Sequence, residues 1–128
     1  MSNSNGSGNV SITSTGNGVT LDDSIFTNGT TTVSAVGNIS QTSGSLSNTS
    51  ASTDQSISVT TTVGTIALNG STFSNGDITV SASDLVTIGS NGLSNTGGSG
   101  KVSVTSTADG VTLNGSINSN SNVTLTGG

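Results

Sequence analysis

The chain has 128 residues and among them no cysteine, histidine, glutamate, proline, tryptophan or tyrosine. Each absence removes something. Without cysteine there is no disulfide framework and no thiolate chemistry. Without histidine, glutamate and tyrosine the usual general bases and nucleophile activators are missing. No catalytic residue and no cofactor is therefore expected, and the chain reads as a non-enzyme. Basic charge is almost absent too: Lys101 stands alone against six aspartates, for a net charge of −5. One cation cannot neutralise a run of phosphates, which excludes nucleic acid as a partner. An anionic membrane surface is disfavoured on the same ground. No apolar run approaches the ~20 residues of a membrane span. The opening MSNSNGSGN lacks the basic and apolar regions of a secretion signal. The expectation is a processed or excised segment begun with Met rather than a cytosolic chain.

What is there is serine, threonine, asparagine and glycine, threaded with small apolar residues. Leu, Ile, Val and Phe make up 29 of the 128 residues. Such low complexity often means disorder. Here the apolar residues are mostly β-branched and regularly spaced, and no proline interrupts a hydrogen-bonded ladder. Both features favour a sheet.

The regularity is an internal repeat. Pairs of the form apolar-x-apolar begin at Val10, Val33, Ile57, Ile78, Val102 and Val123. They recur at intervals of roughly 21–24 residues, within the range of solenoid repeats. Their partners are Ile12, Ala35, Val59, Val80, Val104 and Leu125. A second pair follows: Val19 and Leu21, Ile66 and Leu68, Val86 and Ile88, Val111 and Leu113, degenerating to Ile39 and Gln41 in the second repeat. A lone apolar residue comes next: Ile25, Leu46, Phe73, Leu93 or Ile117. Period-two alternation sends one set of side chains inward and the other outward. No single repeat can bury its own apolar face, so neighbours must stack. The expected core column therefore runs through Val10, Ile12, Val33, Ile57, Val59, Ile78, Val80, Val102, Val104, Val123 and Leu125.

The predicted fold is all-β, a right-handed parallel β-helix of about five three-sided coils of roughly 21–24 residues. Residues 9–128 form a single solenoid domain after a flexible segment 1–8. Asn69-Gly70, Asn75-Gly76, Asn91-Gly92, Asp109-Gly110 and Asn114-Gly115 supply corners. Asn-Gly also favours hairpins, so an antiparallel meander is the rival. Extra residues fall at Gly44 to Thr53 and Asn95 to Gly100, where a solenoid extrudes loops. The expected partners are a second copy stacked on an end, or the rest of a longer solenoid.

Several phrases carry a family resemblance: Gly8-Asn9-Val10-Ser11-Ile12-Thr13, Ile66-Ala67-Leu68-Asn69-Gly70-Ser71-Thr72-Phe73, Gly110-Val111-Thr112-Leu113-Asn114-Gly115-Ser116-Ile117 and Ser121-Asn122-Val123-Thr124-Leu125-Thr126. Over residues 8 to 128 the chain resembles the repeats of the filamentous haemagglutinin family, large exoproteins of bacterial two-partner secretion. The resemblance implies a right-handed β-helical stalk at the bacterial cell surface or outside it, an adhesin with a host or cell-surface ligand.

Two candidate sites stand out. Asp22 and Asp23 are the only adjacent carboxylates and are weak candidates for a calcium ion, which favours clustered carboxylates. The Gly-Gly-x-Gly-x-Asp calcium repeat is absent, and solvated turn residues are the simpler reading. The second site is the outward row of the first strand: Ser11 and Thr13, Ser58 and Thr60, Thr79 and Ser81, Ser103 and Thr105, Thr124 and Thr126, with Ser34 and Val36 in the second repeat. Hydroxyls two apart on a strand lie ~6.7 Å apart, and coils repeat at ~4.8 Å. Such a lattice resembles the ice-binding face of β-solenoid antifreeze proteins. Plain hydroxyl covering of an exposed strand is the alternative.

Overall fold

The computed structural model describes residues 1–3, 8–50 and 55–128. The described chain winds as a three-sided β-solenoid of about five coils, every strand pairing in parallel with its equivalents one coil away. Parallel pairing throughout removes the meander. The first face holds β2 (Val10–Ser14), β5 (Thr31–Ala35), β8 (Ile57–Thr61), β11 (Ile78–Ala82), β14 (Val102–Ser106) and β17 (Val123–Thr126). The second holds β3 (Val19–Leu21), β6 (Ile39–Gln41), β9 (Ile66–Leu68), β12 (Val86–Ile88) and β15 (Val111–Leu113). The third holds β1 (Ser2–Asn3), β4 (Ile25–Thr27), β7 (Ser45–Asn48), β10 (Ser71–Ser74), β13 (Leu93–Asn95) and β16 (Ile117–Ser119).

Alternation decides what faces in. In β8 and β11 every second residue is buried, with Ile57, Val59, Ile78 and Val80 at zero exposure. Val10, Val33, Val102 and Val104 are likewise buried, and Ile12 is half-buried in the first coil. Val123 and Leu125 occupy the same two columns but are exposed, at 44% and 46%, because β17 is the last strand of its sheet. Val, Ile and Leu suit these columns because branched side chains pack against their copies on a pleated surface.

Two expectations need correction. Val33 stands opposite Ile12, and Thr31 stands opposite Val10 and Ile57, so the second coil begins two residues earlier than the apolar pattern suggests. Thr31 fills a core position with zero exposure, and a hydroxyl residue there gives no apolar signal. Phe73 is not an inward anchor. It shares an outward column with Phe26, Ser47 and Ser94, while Thr72 takes the core place between Leu46 and Leu93. Within the segment 1–8, Ser2–Asn3 pairs with Phe26–Thr27, and residues 4–7 lie outside the described residues. The second insertion follows β13, at 96–100. The first follows β7 and includes residues 51–54, which also lie outside the described residues.

The corrected register shows a two-coil unit. Successive first-face strands start at Val10, Thr31, Ile57, Ile78, Val102 and Val123. Coils therefore alternate between short ones of about 21 residues and longer ones of about 24–26 residues. Odd coils are short and even coils carry the loops. The third column of the first face alternates in step: Ser14, Ala35, Thr61, Ala82, Ser106. The last inward position of the third face alternates too: Thr27, Asn48, Ser74, Asn95, Ser119. In odd coils the hydroxyl caps its own corner, Thr27 Oγ1 accepting from Gly29 N–H and Ser74 Oγ from Gly76 N–H. In even coils the longer Asn reaches down one coil, Asn48 Nδ2 donating to Gly29 O and Asn95 Nδ2 to Gly76 O. The corner after the third face is thus tied to the coil beneath it in the even coils.

Candidate functional site

The first face is the only one of the three whose outward positions are hydroxyl in every described coil. One column reads Ser11, Thr32, Ser58, Thr79, Ser103, Thr124; the other reads Thr13, Ser34, Thr60, Ser81, Thr105, Thr126. The two-residue shift of the second coil is what completes the lattice. Thr32 and Ser34 take the places expected for Ser34 and Val36, and Val36 moves to the corner, where its N–H donates to Ser14 O. Serine and threonine alternate along both columns and across them, in a checkerboard that breaks only at Thr126. The other faces lack this continuity. Ala67 interrupts the outward row Thr20, Ser40, Ala67, Thr87, Thr112, and Phe26 and Phe73 interrupt the third.

The geometry follows from strand pairing. Hydroxyls sit ~6.7 Å apart along each strand and ~4.8 Å apart between coils. Each can donate one hydrogen bond and accept two. None of the twelve has a protein hydrogen-bond partner among the described residues. Elsewhere hydroxyls are consumed by the fold: Thr61 Oγ1 donates to Gly37 O at 2.7 Å, and Ser106 Oγ donates to Asp84 O at 2.6 Å. The first face therefore presents its whole hydrogen-bonding capacity to whatever lies against it.

The structure separates the two aspartates by role. Asp22 and Asp23 are both exposed; Asp22 Oδ1 accepts from Thr42 Oγ1 at 2.6 Å, and Asp23 Oδ1 accepts from Ser24 N–H at 2.7 Å. Asp23 thus accepts within its own turn, while Asp22 ties its corner to the next coil. No group of three or more metal-ligating side chains occurs among the described residues. Among those residues no helix is long and apolar enough to cross a membrane.

Sequence reasoning missed Thr32, although a signal for it was present. The run Thr32-Val33-Ser34-Ala35 is repeated as Thr79-Val80-Ser81-Ala82, and aligning the two gives the observed register.

No protein-family model, no curated protein and no solved structure matches the chain.

Proposed function

We propose that this chain is a non-enzymatic, extracellular structural rod: a stalk segment of a bacterial surface adhesin, or a filament subunit that stacks end to end. The observation that carries the reading is the fate of the core columns at the two ends. They run the length of the stack, with Thr31, Gln41 and Thr72 taking single places in them, and emerge there as exposed apolar residues, Met1 at one end and Leu113, Val123 and Leu125 at the other. Open parallel edges with apolar columns are templates for another coil. That coil can come from further repeats or from a second copy, and either way the repeat's product is length. Electron microscopy of the purified chain over a concentration series tests this. Rods or filaments of uniform width support it; irregular aggregates without an axial repeat would overturn it.

A second reading has its own observation. The uninterrupted twelve-hydroxyl face, free of protein partners, supports ordering of water at an ice surface. Thermal hysteresis and ice shaping at high protein concentration test it. Activity lost on Thr79→Lys, with the β signal intact, is the expected outcome; absence of ice shaping by the unaltered chain removes this reading.

A further inference from the structure

The ends carry more than exposed apolar surface. Their residues are matched in kind and in phase, and the chain's internal joints supply the template. On the third face β13 lies between β10 and β16, an even-coil strand between two odd-coil strands. At the start of the chain Met1-Ser2-Asn3 stands as Leu93-Ser94-Asn95 does, and Asn9 precedes β2 as Lys101 precedes β14. β1 is thus an even-coil strand, paired on one side with β4 and open on the other. β16 is an odd-coil strand open on its far side. On the first face β17 belongs to an even coil and β2 to an odd one, each the last strand at its own end.

We propose that two copies join head to tail in a single register, in which β17 of one copy and β1 of the next share one composite coil. This rests on the self-stacking form of the proposed rod and fixes its joint. Ile117 then stands opposite Met1 of the second copy, and Ser119 opposite Asn3. Val123 stands opposite Val10 and Leu125 opposite Ile12. Three independent features agree on this register. The outward column ending Ser103, Thr124 calls next for a serine, and β2 offers Ser11. The exposed apolar residues Met1, Val123 and Leu125 become covered, while Leu113 stays open because the composite coil has no strand on the five-stranded second face. The first-face amide ladder continues. Val10, Thr31, Ile57, Ile78 and Val102 each donate N–H to the residue preceding the next strand, namely Thr30, Ser56, Asp77, Lys101 and Asn122. Val123 N–H continues the series to Asn9 O of the second copy.

The register has a metric consequence. Six first-face strands separate equivalent positions, so each copy advances the filament by six spacings of ~4.8 Å, roughly 29 Å. Direct contact of β15 with β3 on the second face would instead give five spacings, about 24 Å. The interface joins two different surfaces, so it propagates as an open filament rather than closing as a dimer.

The test uses two single-cysteine variants of the 128-residue chain, Ser11→Cys and Thr124→Cys, each labelled with pyrene. Both positions face outward, so the core is untouched. The expected result is excimer emission only when the two labelled chains are mixed. The filaments they form should show an axial repeat of about 29 Å, six strand spacings. Excimer emission from labelled Thr124→Cys chains alone means tail-to-tail contact and overturns the proposal. So do filaments with a repeat of about 24 Å, five strand spacings. Mixed filaments without an excimer overturn it as well; in these last two cases the self-stacking rod survives. Monomers at every concentration, by sedimentation, overturn the joint and the self-stacking form together. Leu125→Asp, at a site exposed in the isolated chain, is expected to shift assembly to at least tenfold higher concentration without loss of the β signal. Unchanged assembly by that variant would also overturn the joint.

Discussion

Asn95 donates its side-chain amide to the carbonyl of Gly76, one coil below, at 2.7 Å. Asn48 makes the equivalent bond to Gly29 at 2.8 Å, so the contact recurs once per two-coil unit. Both asparagines are fully buried. Asn95→Asp keeps the shape, removes the donor and sets a carboxylate against a carbonyl. The expected loss of stability at neutral pH is about 3 kcal/mol, read from the denaturant midpoint. The loss shrinks in acid, because burial raises the introduced carboxyl's pKa and its protonated form regains a donor. Thr96→Asp, one residue on and exposed, is the control and is expected to be near neutral.

Gln41 occupies a column otherwise made of Leu21, Leu68, Ile88 and Leu113. It has zero exposure, its Oε1 has no partner, and its Nε2 reaches Gly44 O only at 3.5 Å. Gly44 O already accepts from Ser71 N–H at 3.2 Å, so it does not depend on the glutamine. Gln41→Leu is expected to stabilise the solenoid by about 1–2 kcal/mol. A higher denaturant midpoint checks it; a lower one would mean that the amide holds the 41–44 corner in some way the bond lengths do not suggest.

The three-sided parallel stack was legible because period-two alternation, recurring turn dipeptides and anchor columns all demand it. The phase of the second coil was not legible from apolar residues, because Thr31 is a hydroxyl residue in a core place. Phe73 misled for the converse reason. It is the apolar residue of the pair Thr72-Phe73, yet Thr72 takes the column between Leu46 and Leu93 and the ring stays outside. Outside, it lies beside Gly97, where a Cβ would sit 3.4 Å from the ring's Cζ. The hydroxyl face was legible in five of its six coils and became continuous only once strand register fixed the sixth.

Thr31 and Thr72 test how much those substituted core places cost. Both are buried and both leave Oγ1 without a partner. Thr31→Val and Thr72→Val keep the shape and remove the unpaired hydroxyl, and each is expected to stabilise by about 1 kcal/mol. They lie in different coils and on different faces, so the gains should add. Thr61→Val makes the same chemical change where Oγ1 donates at 2.7 Å to Gly37 O, and it is expected to destabilise by about 1 kcal/mol. Opposite signs from one substitution type, measured by the same denaturation, would separate hydrogen-bond satisfaction from side-chain shape.

Corner geometry supplies the last prediction. Gly92 links the second face to the third in the fourth coil with φ of +69°, and Gly44 repeats this at the same corner of the second coil with φ of +73°. A Cβ on Gly92 would lie 2.1 Å from Ser116 O, in a backbone region that side chains rarely adopt. The carbonyl it meets belongs to the next coil and is already held, since Ser116 O accepts from Leu93 N–H at 3.0 Å. Relief would require the fourth and fifth coils to separate locally. Gly92→Ala is therefore expected to cost at least about 2–3 kcal/mol, combining backbone strain with a broken coil contact. Gly16 lies on an exposed corner where a Cβ would meet nothing within 4 Å, and it should accept alanine with little change or a slight gain. Hydrogen exchange would locate the damage: Gly92→Ala should raise exchange in β13 and β16 first, because those strands meet at that corner. Equal loss of protection across all coils would instead mean that the stack unfolds as one unit from any corner.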